Sequence, residues 1–210
     1  MSTARRLRES RHRAHAASAL VPRLSESQLS ELLEIIQGIE DSFWHDSALA
    51  DVCGRVGELL SPRQALDIIR DIESKPLRAN ALRAVAGHLD ERLLGEALML
   101  TDALHPSSTE RFHRNVEVFL GGDRWSSEKL RVSWSPQVAA LSALAPNAPP
   151  SFRAEIYEMW QEVLRRLAGE ERKDSLTQLA MLSSVLDRQG GAPALVACAR
   201  VVKDVTRWWP

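Results

Sequence analysis

Histidines are the best candidates for metal ligands in this sequence. Two of the six, His12 and His15, are three residues apart, which places both on one face of a helix. No third ligand lies close to them in the chain, and Arg11 and Arg13 flank the pair with charges that repel a cation. The sequence therefore predicts no metal and no other cofactor.

Motifs for nucleophilic or nucleotide chemistry are absent. The two cysteines, Cys53 and Cys198, lie in apolar helical patterns, as small buried side chains do in a reducing compartment. The sequence has neither a Gly-x-Ser-x-Gly elbow nor a Gly-x-x-x-x-Gly-Lys-Ser/Thr phosphate loop. Paired carboxylates at 170–171 fit a solvated turn, and the glycine pairs at 121–122 and 190–191 fit helix breaks. We expect no catalytic residue and a protein that is not an enzyme.

Arginines crowd the start of the chain, although its net charge is only −1. Such a segment could contact phosphates or act as an organelle transit peptide, but a solvated helix end is the commoner explanation. No apolar run approaches the roughly 18–20 residues that span a membrane. We expect a cytoplasmic protein with no membrane partner. The arginines concerned are Arg5, Arg6, Arg8, Arg11 and Arg13.

The elements that must carry any functional residue are helices. Apolar residues make up 44% of the chain and aromatic residues only 5%, so Leu, Ala, Val and Ile must form the core. Tyr157 is the single tyrosine, and strand-forming residues are correspondingly scarce. This composition predicts an all-α fold.

An internal repeat of 33 residues is the strongest pattern in the sequence. It superimposes 33–54 on 66–87 with identities at helical spacing, which favours a genuine duplication. Each unit is typical of two antiparallel helices, with Gly54 or Gly87 near the end of the second helix as a left-handed cap. The identical pairs are Leu33/Leu66, Ile35/Ile68, Ile36/Ile69, Ile39/Ile72, Glu40/Glu73, Ala48/Ala81, Leu49/Leu82, Val52/Val85 and Gly54/Gly87.

Capping signals and prolines set the expected organisation. Capping boxes at Ser25/Gln28 and Ser107/Glu110, and Ser-Pro pairs at 61–62 and 135–136, mark helix starts. We expect an Arg-rich start with a partial repeat at 1–24, repeats over 25–146, and longer C-terminal capping helices over 147–210. Within the repeats, Val116, Phe119 and Leu120 match a second helix, and an irregular segment near 121–135 should hold a loop and a shortened helix.

The phrase Leu77–Leu89, followed by Asp90-Glu91 and an Ala-Leu helix, resembles bacterial HEAT-like repeats. Such repeats form the C-terminal sensor arrays of multidomain proteins with NACHT-type or other STAND nucleotide switches. The resemblance implies tandem antiparallel helix pairs stacked as a HEAT-like α-solenoid. It also implies a protein-binding scaffold, a stand-alone recognition module of a bacterial signalling or defence system, because the nucleotide switch is missing.

Two groups of residues are candidates for partner binding. The resemblance implies that second helices line the inner face, and would contribute basic side chains to it. Tryptophans at turns would be interface anchors, although core packing is the commoner role of tryptophan and the one we expect for Trp160. The alternative is that the Arg-rich surface binds nucleic acid. The candidates are Arg55, Arg78, Arg83, His88, Arg111, Arg114, Trp44, Trp125 and Trp134.

Overall fold

The computed structural model describes residues 9–104, 113–120, 126–133, 135–167 and 172–208. The chain forms two compact units, with the boundary between His105 and Pro106. The limits expected from sequence, near residues 24 and 146, fall inside the first and the second unit respectively.

Helices joined by short turns make up the first unit. Short 3-10 turns follow two of them, at Val21–Arg23 and Ala86–His88. The helices are α1 (Ser10–Leu20), α2 (Glu26–Gln37), α3 (Ser42–Leu59), α4 (Pro62–Asp71), α5 (Lys75–Val85) and α6 (Glu91–Asp102).

Side-chain caps begin these helices where the sequence predicts them. Ser25 and Gln28 form a reciprocal capping box at the start of α2. The Ser61 hydroxyl accepts hydrogen bonds from the backbone N–H groups of Arg63 and Gln64, at 3.1 and 3.4 Å. These bonds satisfy N–H groups that have no partner within the helix. Both predicted helix starts are confirmed.

Helices two apart in the chain lie side by side in the first unit. The second helix of one pair, α3, packs against α1 and α5, and the first helix α4 packs against α6. Positions matched by the 33-residue repeat form the core, and burying each large one contributes about 1.5–3 kcal/mol. The pairs buried in both copies are Ile36/Ile69, Ile39/Ile72, Ala48/Ala81, Leu49/Leu82 and Val52/Val85.

The repeated glycine has a different role from the one we expected. Gly54 lies within α3 and not at its end, and neither Gly54 nor Gly87 has a positive φ. A Cβ at Gly54 would lie 3.2 Å from the Cβ of Ala84 on α5. The left-handed cap was therefore wrong. Gly54 lets two second helices approach closely, because it removes the atom that would collide.

The fold is helical as the sequence predicts, except that the described part of the second unit also contains two strands. Strands β1 (His113–Leu120) and β2 (Ser126–Ser133) pair antiparallel, with His113 opposite Ser133 and Leu120 opposite Ser126. The helical match of Val116, Phe119 and Leu120 and the shortened helix near 121–135 were both wrong. Polar and apolar residues alternate over 115–118, and a run this short fits the period of a strand as well as that of a helix.

Helices complete the second unit. The predicted start at Ser135-Pro136 is confirmed, because the Ser135 hydroxyl accepts from the N–H of Val138 at 3.4 Å. The capping box predicted at 107–110 lies outside the described residues. A 3-10 turn at Pro150–Phe152 leads into α8. The helices are α7 (Pro136–Leu144), α8 (Arg153–Leu167), α9 (Arg172–Met181) and α10 (Ser183–Trp208).

The last helix is bent where the sequence has two glycines and a proline. Gly191 has a φ of +63°, and Pro193 follows inside α10. Proline lacks the N–H that would bond to the preceding turn, and Gly191 alone tolerates the left-handed backbone without strain. The predicted break at 190–191 thus takes the form of a kink.

Candidate functional site

Aromatic and basic side chains meet on the surface of the first unit, at the start of α3. Asp41 caps this helix, and its carboxylate accepts from the N–H of Trp44 at 3.1 Å. The cap fixes the first turn, so that Phe43 and Trp44 are presented next to α1. Phe43 is 57% exposed, which is unusual for a phenylalanine.

Four side chains form this surface, which we call the Trp44 cluster: Arg11, His15, Phe43 and Trp44. The ring of Phe43 meets that of Trp44 edge-on, with centroids 5.1 Å apart and planes at 81°. The His15 ring lies 5.3 Å from the Trp44 ring, and the Arg11 guanidinium lies 5.8 Å from its centroid. The edge-on pair is an orientation that aromatic rings favour, and the guanidinium lies within cation–π distance, so half-buried Trp44 is held in place while its neighbours stay accessible.

The basic residues near the start of the described chain have separate partners. His12 faces Glu9 at 3.3 Å, whereas His15 turns to Trp44. The Arg13 guanidinium donates to the carbonyl of Gly38 at 2.6 Å, which ties α1 to the end of α2. No group of three or more metal-binding side chains occurs within the part of the chain that the structure describes.

Two of the arginines we proposed for partner binding contact the protein's own backbone. Arg55 donates to the carbonyl of Leu24 at 3.1 Å and pairs with Glu58 at 2.7 Å. Arg78 donates from Nε to the carbonyl of Ile72 at 2.8 Å. Arg55 therefore fastens the turn before α2, and Arg78 fastens the turn before its own helix, α5.

The remaining predicted residues are only partly brought together. Arg83 and His88 are exposed, and His88 lies over α3, where a Cβ at Gly57 would be 3.7 Å from its Cδ2 atom. Arg114 lies on β1 and not on a second helix, which corrects its expected position. Arg111, Trp125 and Trp134 lie outside the described residues.

A buried carboxylate that the sequence analysis missed also holds the repeat units together. Asp46 on α3 is only 5% exposed and accepts from the N–H groups of Glu73 and Ser74, both at 3.0 Å. These two groups precede α5, so Asp46 anchors the start of the next second helix. The available signal was its position three and four residues before Leu49 and Ala50, which places an acid on the apolar face of the helix.

Side chains 33 residues apart also bond to each other directly. The Glu96 carboxylate on α6 forms ion pairs with two arginines of α4, with Arg63 at 2.7 Å and with Arg70. The hydrogen bond from Arg70 and the neighbouring charge of Arg63 lower the pKa of Glu96 below its ordinary value. The Ser18 hydroxyl bonds to Asp51 at the same separation in the chain.

Comparisons with models of protein families, with curated proteins and with solved structures gave no match. Within the described ranges, no helix is both long enough and apolar enough to cross a membrane.

Proposed function

We propose that this protein is a non-catalytic scaffold of HEAT-like helix pairs that binds a protein partner through the Trp44 cluster. The observation that carries the proposal is the aromatic pair of exposed Phe43 and half-buried Trp44, flanked by Arg11 and His15. Tryptophan, tyrosine and arginine are the residues most enriched where binding energy concentrates at protein interfaces.

The repeat supports the scaffold part of the proposal. Matched positions are buried in successive helix pairs, and the Arg63–Glu96 and Ser18–Asp51 contacts both join residues 33 apart. Neighbour-to-neighbour contacts of this kind are what stacked helical repeats use in place of long-range packing. In a solenoid of this type, α1, α3 and α5 would form one continuous row, and the Trp44 cluster would lie on that row.

Rigidity favours the cluster as a binding surface. Asp41 caps the first turn of α3, and Arg13 fastens α1 to the carbonyl of Gly38. The two helices that carry the cluster also pack against each other. Because the rings are already oriented, a partner would lose little conformational entropy of the cluster on binding.

A protein partner fits the surface better than nucleic acid does. Arg55 and Arg78 are occupied by backbone carbonyls, which removes two of the guanidiniums that a phosphate-binding row would need. A neutral partner surface with an acidic rim complements rings flanked by Arg11 and His15. We propose that the protein is an isolated sensor module of a bacterial signalling or defence system and recognises its protein partner in this way.

The test is capture of partners from the native cell lysate with tagged wild-type protein and two variants. The first variant, Phe43→Ser with Trp44→Ala, removes the rings. The matched control is Met99→Ser, because Met99 is 64% exposed on α6 of the same unit and lies outside the cluster. We expect one or more proteins to be retained by wild type and Met99→Ser and lost, by tenfold or more, with the double variant.

Nuclease treatment separates the two classes of partner. A partner that survives nuclease and depends on the rings supports the proposal. Material that disappears on nuclease treatment and is equally retained by the double variant would instead favour nucleic acid bound elsewhere. Circular dichroism of the double variant checks that the helices are intact, which we expect because Phe43 is exposed and Trp44 is only half-buried.

A further inference from the structure

The second unit contains an open cavity lined by aromatic and small side chains. Its volume is about 640 Å³, within the range of roughly 300–1,000 Å³ that small-molecule sites occupy. Tyr157 and Trp160 of α8 form one wall, with ring centroids 5.6 Å apart and planes tilted by 32°. Leu186 and Ala194 of α10 form the opposite wall. We had assigned Trp160 to the core, but it is half-buried and borders this cavity.

The kink in α10 gives the cavity its shape. Gly190 lies at its edge, and a Cβ there would come within 2.6 Å of the Cβ of Ala194. The left-handed backbone of Gly191 turns the chain at the next residue. Any larger residue at 190 would push Ala194 away, so the glycine keeps this wall in position.

One end of the cavity is basic. Arg153 borders it and also borders a smaller adjoining cavity of about 160 Å³, which Arg188 lines as well. Arg188 is anchored there, because its guanidinium donates to the carbonyl of Ala148 at 2.8 Å. The described residues that line the two cavities include no aspartate or glutamate.

The start of α8 adds to this electrostatic preference. Arg153 and Ala154 are its first two residues, and both border the larger cavity. The N–H of Arg153 is already bonded to the carbonyl of Pro150 in the preceding 3-10 turn, so this end contributes through the helix dipole, which makes it partly positive. Two arginines and a helix N-terminus at one end, with aromatic rings along the wall, favour a ligand that is apolar at one end and anionic at the other.

We propose that this cavity binds a planar apolar ligand that carries one anionic group, such as an aromatic carboxylate or sulfonate. The flat part packs against Tyr157 and Trp160, and the anionic group lies at the first turn of α8, beside Arg153. This site is independent of the Trp44 cluster, since it lies wholly within the second unit.

Two fluorescent probes test the proposal on the full chain. Anilinonaphthalene sulfonate is planar, apolar and anionic, and phenylnaphthylamine is its neutral counterpart. We expect the sulfonate to bind at least tenfold more tightly than the neutral probe. Arg153→Gln should weaken the sulfonate about tenfold and change the neutral probe less than twofold, because a charge-assisted bond is lost only for the anion. Equal weakening of both probes would refute the anionic preference.

A blocking variant tests the location. Ala154 borders the cavity, so Ala154→Phe should fill part of it and weaken both probes tenfold or more. The matched control is Ala180→Phe, at an exposed position of α9 that does not line the cavity. Tyr157→Ala is a second test that removes a wall instead of adding bulk, and Tyr157 is 45% exposed, so the fold should tolerate the change.

Binding at the other aromatic surface is the outcome to separate. Trp44→Ala should leave the affinity for both probes unchanged. If Trp44→Ala abolishes probe binding while Ala154→Phe has no effect, the proposed cavity is not the binding site.

Discussion

The two units of this chain bury their apolar residues by different means. In the first unit, equivalent positions such as Leu49 and Leu82 are buried one repeat apart, and the same contacts recur between successive helices. In the second unit, a strand pair, short 3-10 turns and a kinked helix pack without a recurring pattern. The same close-packed contact can recur from one repeat to the next, whereas elements that meet irregularly leave space between them. The larger cavity lies where elements meet in this irregular way.

Glycines show the same contrast. Gly54 lies inside α3 and allows this helix to approach Ala84 on α5. Gly190 and Gly191 lie where α10 bends, and the bend shapes a cavity instead of closing one. Glycine thus permits a close contact between two helices in the first unit and a bend within one helix in the second.

The largest expected difference between the units is in the reactivity of their cysteines. Cys53 is buried in α3, and burial, reinforced by the nearby charge of Asp51, raises its pKa to about 12. At pH 8 this leaves about one thiolate in ten thousand, against roughly a quarter for an ordinary thiol. Cys198 in α10 is only partly buried. We expect iodoacetamide to modify Cys198 in the native protein and Cys53 about a thousandfold more slowly.

Mass spectrometry of the alkylated peptides at increasing urea concentrations extends this comparison. Protection of Cys53 should end only when the first unit unfolds, so its midpoint in urea reports the stability of that unit. Similar alkylation rates at the two cysteines in the native protein would show that the first unit opens around α3 as readily as the second unit opens around α10.

Close packing of the second helices is tested by Gly54→Leu. The added side chain meets Ala84, where even a Cβ would be at 3.2 Å, so overpacking should lower the free energy of unfolding by about 1–3 kcal/mol. Gly87→Leu is the matched control, because Gly87 occupies the same repeat position and no atom lies within 4 Å of its would-be Cβ. Its effect should stay within about 0.5 kcal/mol. The measurement is urea unfolding followed by circular dichroism, and equal effects would contradict the close approach at Gly54.

Sequence patterns predicted the first unit well because its signals are local and repeated. The caps at Ser25 and Ser61 and the helical spacing of Leu66, Ile69 and Ile72 each act within a few residues of the chain. The strands were missed because 113–133 offers only short apolar runs, which fit either period. The weak match of Val116, Phe119 and Leu120 to a second helix of the repeat favoured the wrong period.

Functional surfaces were harder to predict, because they depend on contacts between distant residues. Trp44 was proposed as an anchor, but its neighbours Arg11 and His15 approach it only when α1 packs on α3. Arg55 and Arg78 had suitable types and spacing, yet their guanidiniums turn towards the carbonyls of Leu24 and Ile72. The sequence shows where an arginine lies, but it does not show whether its guanidinium will bond to a backbone carbonyl of the same protein.

The smallest expected effect concerns the ion pairs between α4 and α6. Arg70 and Arg63 lower the pKa of Glu96 in the folded protein, so the folded state holds the charged carboxylate more strongly than the unfolded state does. The resulting stabilisation is complete above the ordinary pKa of glutamate and is lost as the pH falls through the lowered value. Glu96→Gln should therefore lower the melting temperature slightly at pH 7, by an amount that shrinks in strongly acidic solution and in high salt.

The control for this change is Asp102→Asn, an exposed carboxylate at the end of the same helix. Melting curves of wild type and both variants between neutral and strongly acidic pH give the comparison. If Glu96→Gln follows the same pH dependence as wild type, the bonds to Arg63 and Arg70 contribute no net stability. The contact between repeat units would then depend on apolar packing and on buried Asp46. A pH-dependent difference that is absent in Asp102→Asn would instead establish that charges 33 residues apart help to align successive helix pairs. The described ion pairs of the second unit include no counterpart of this contact.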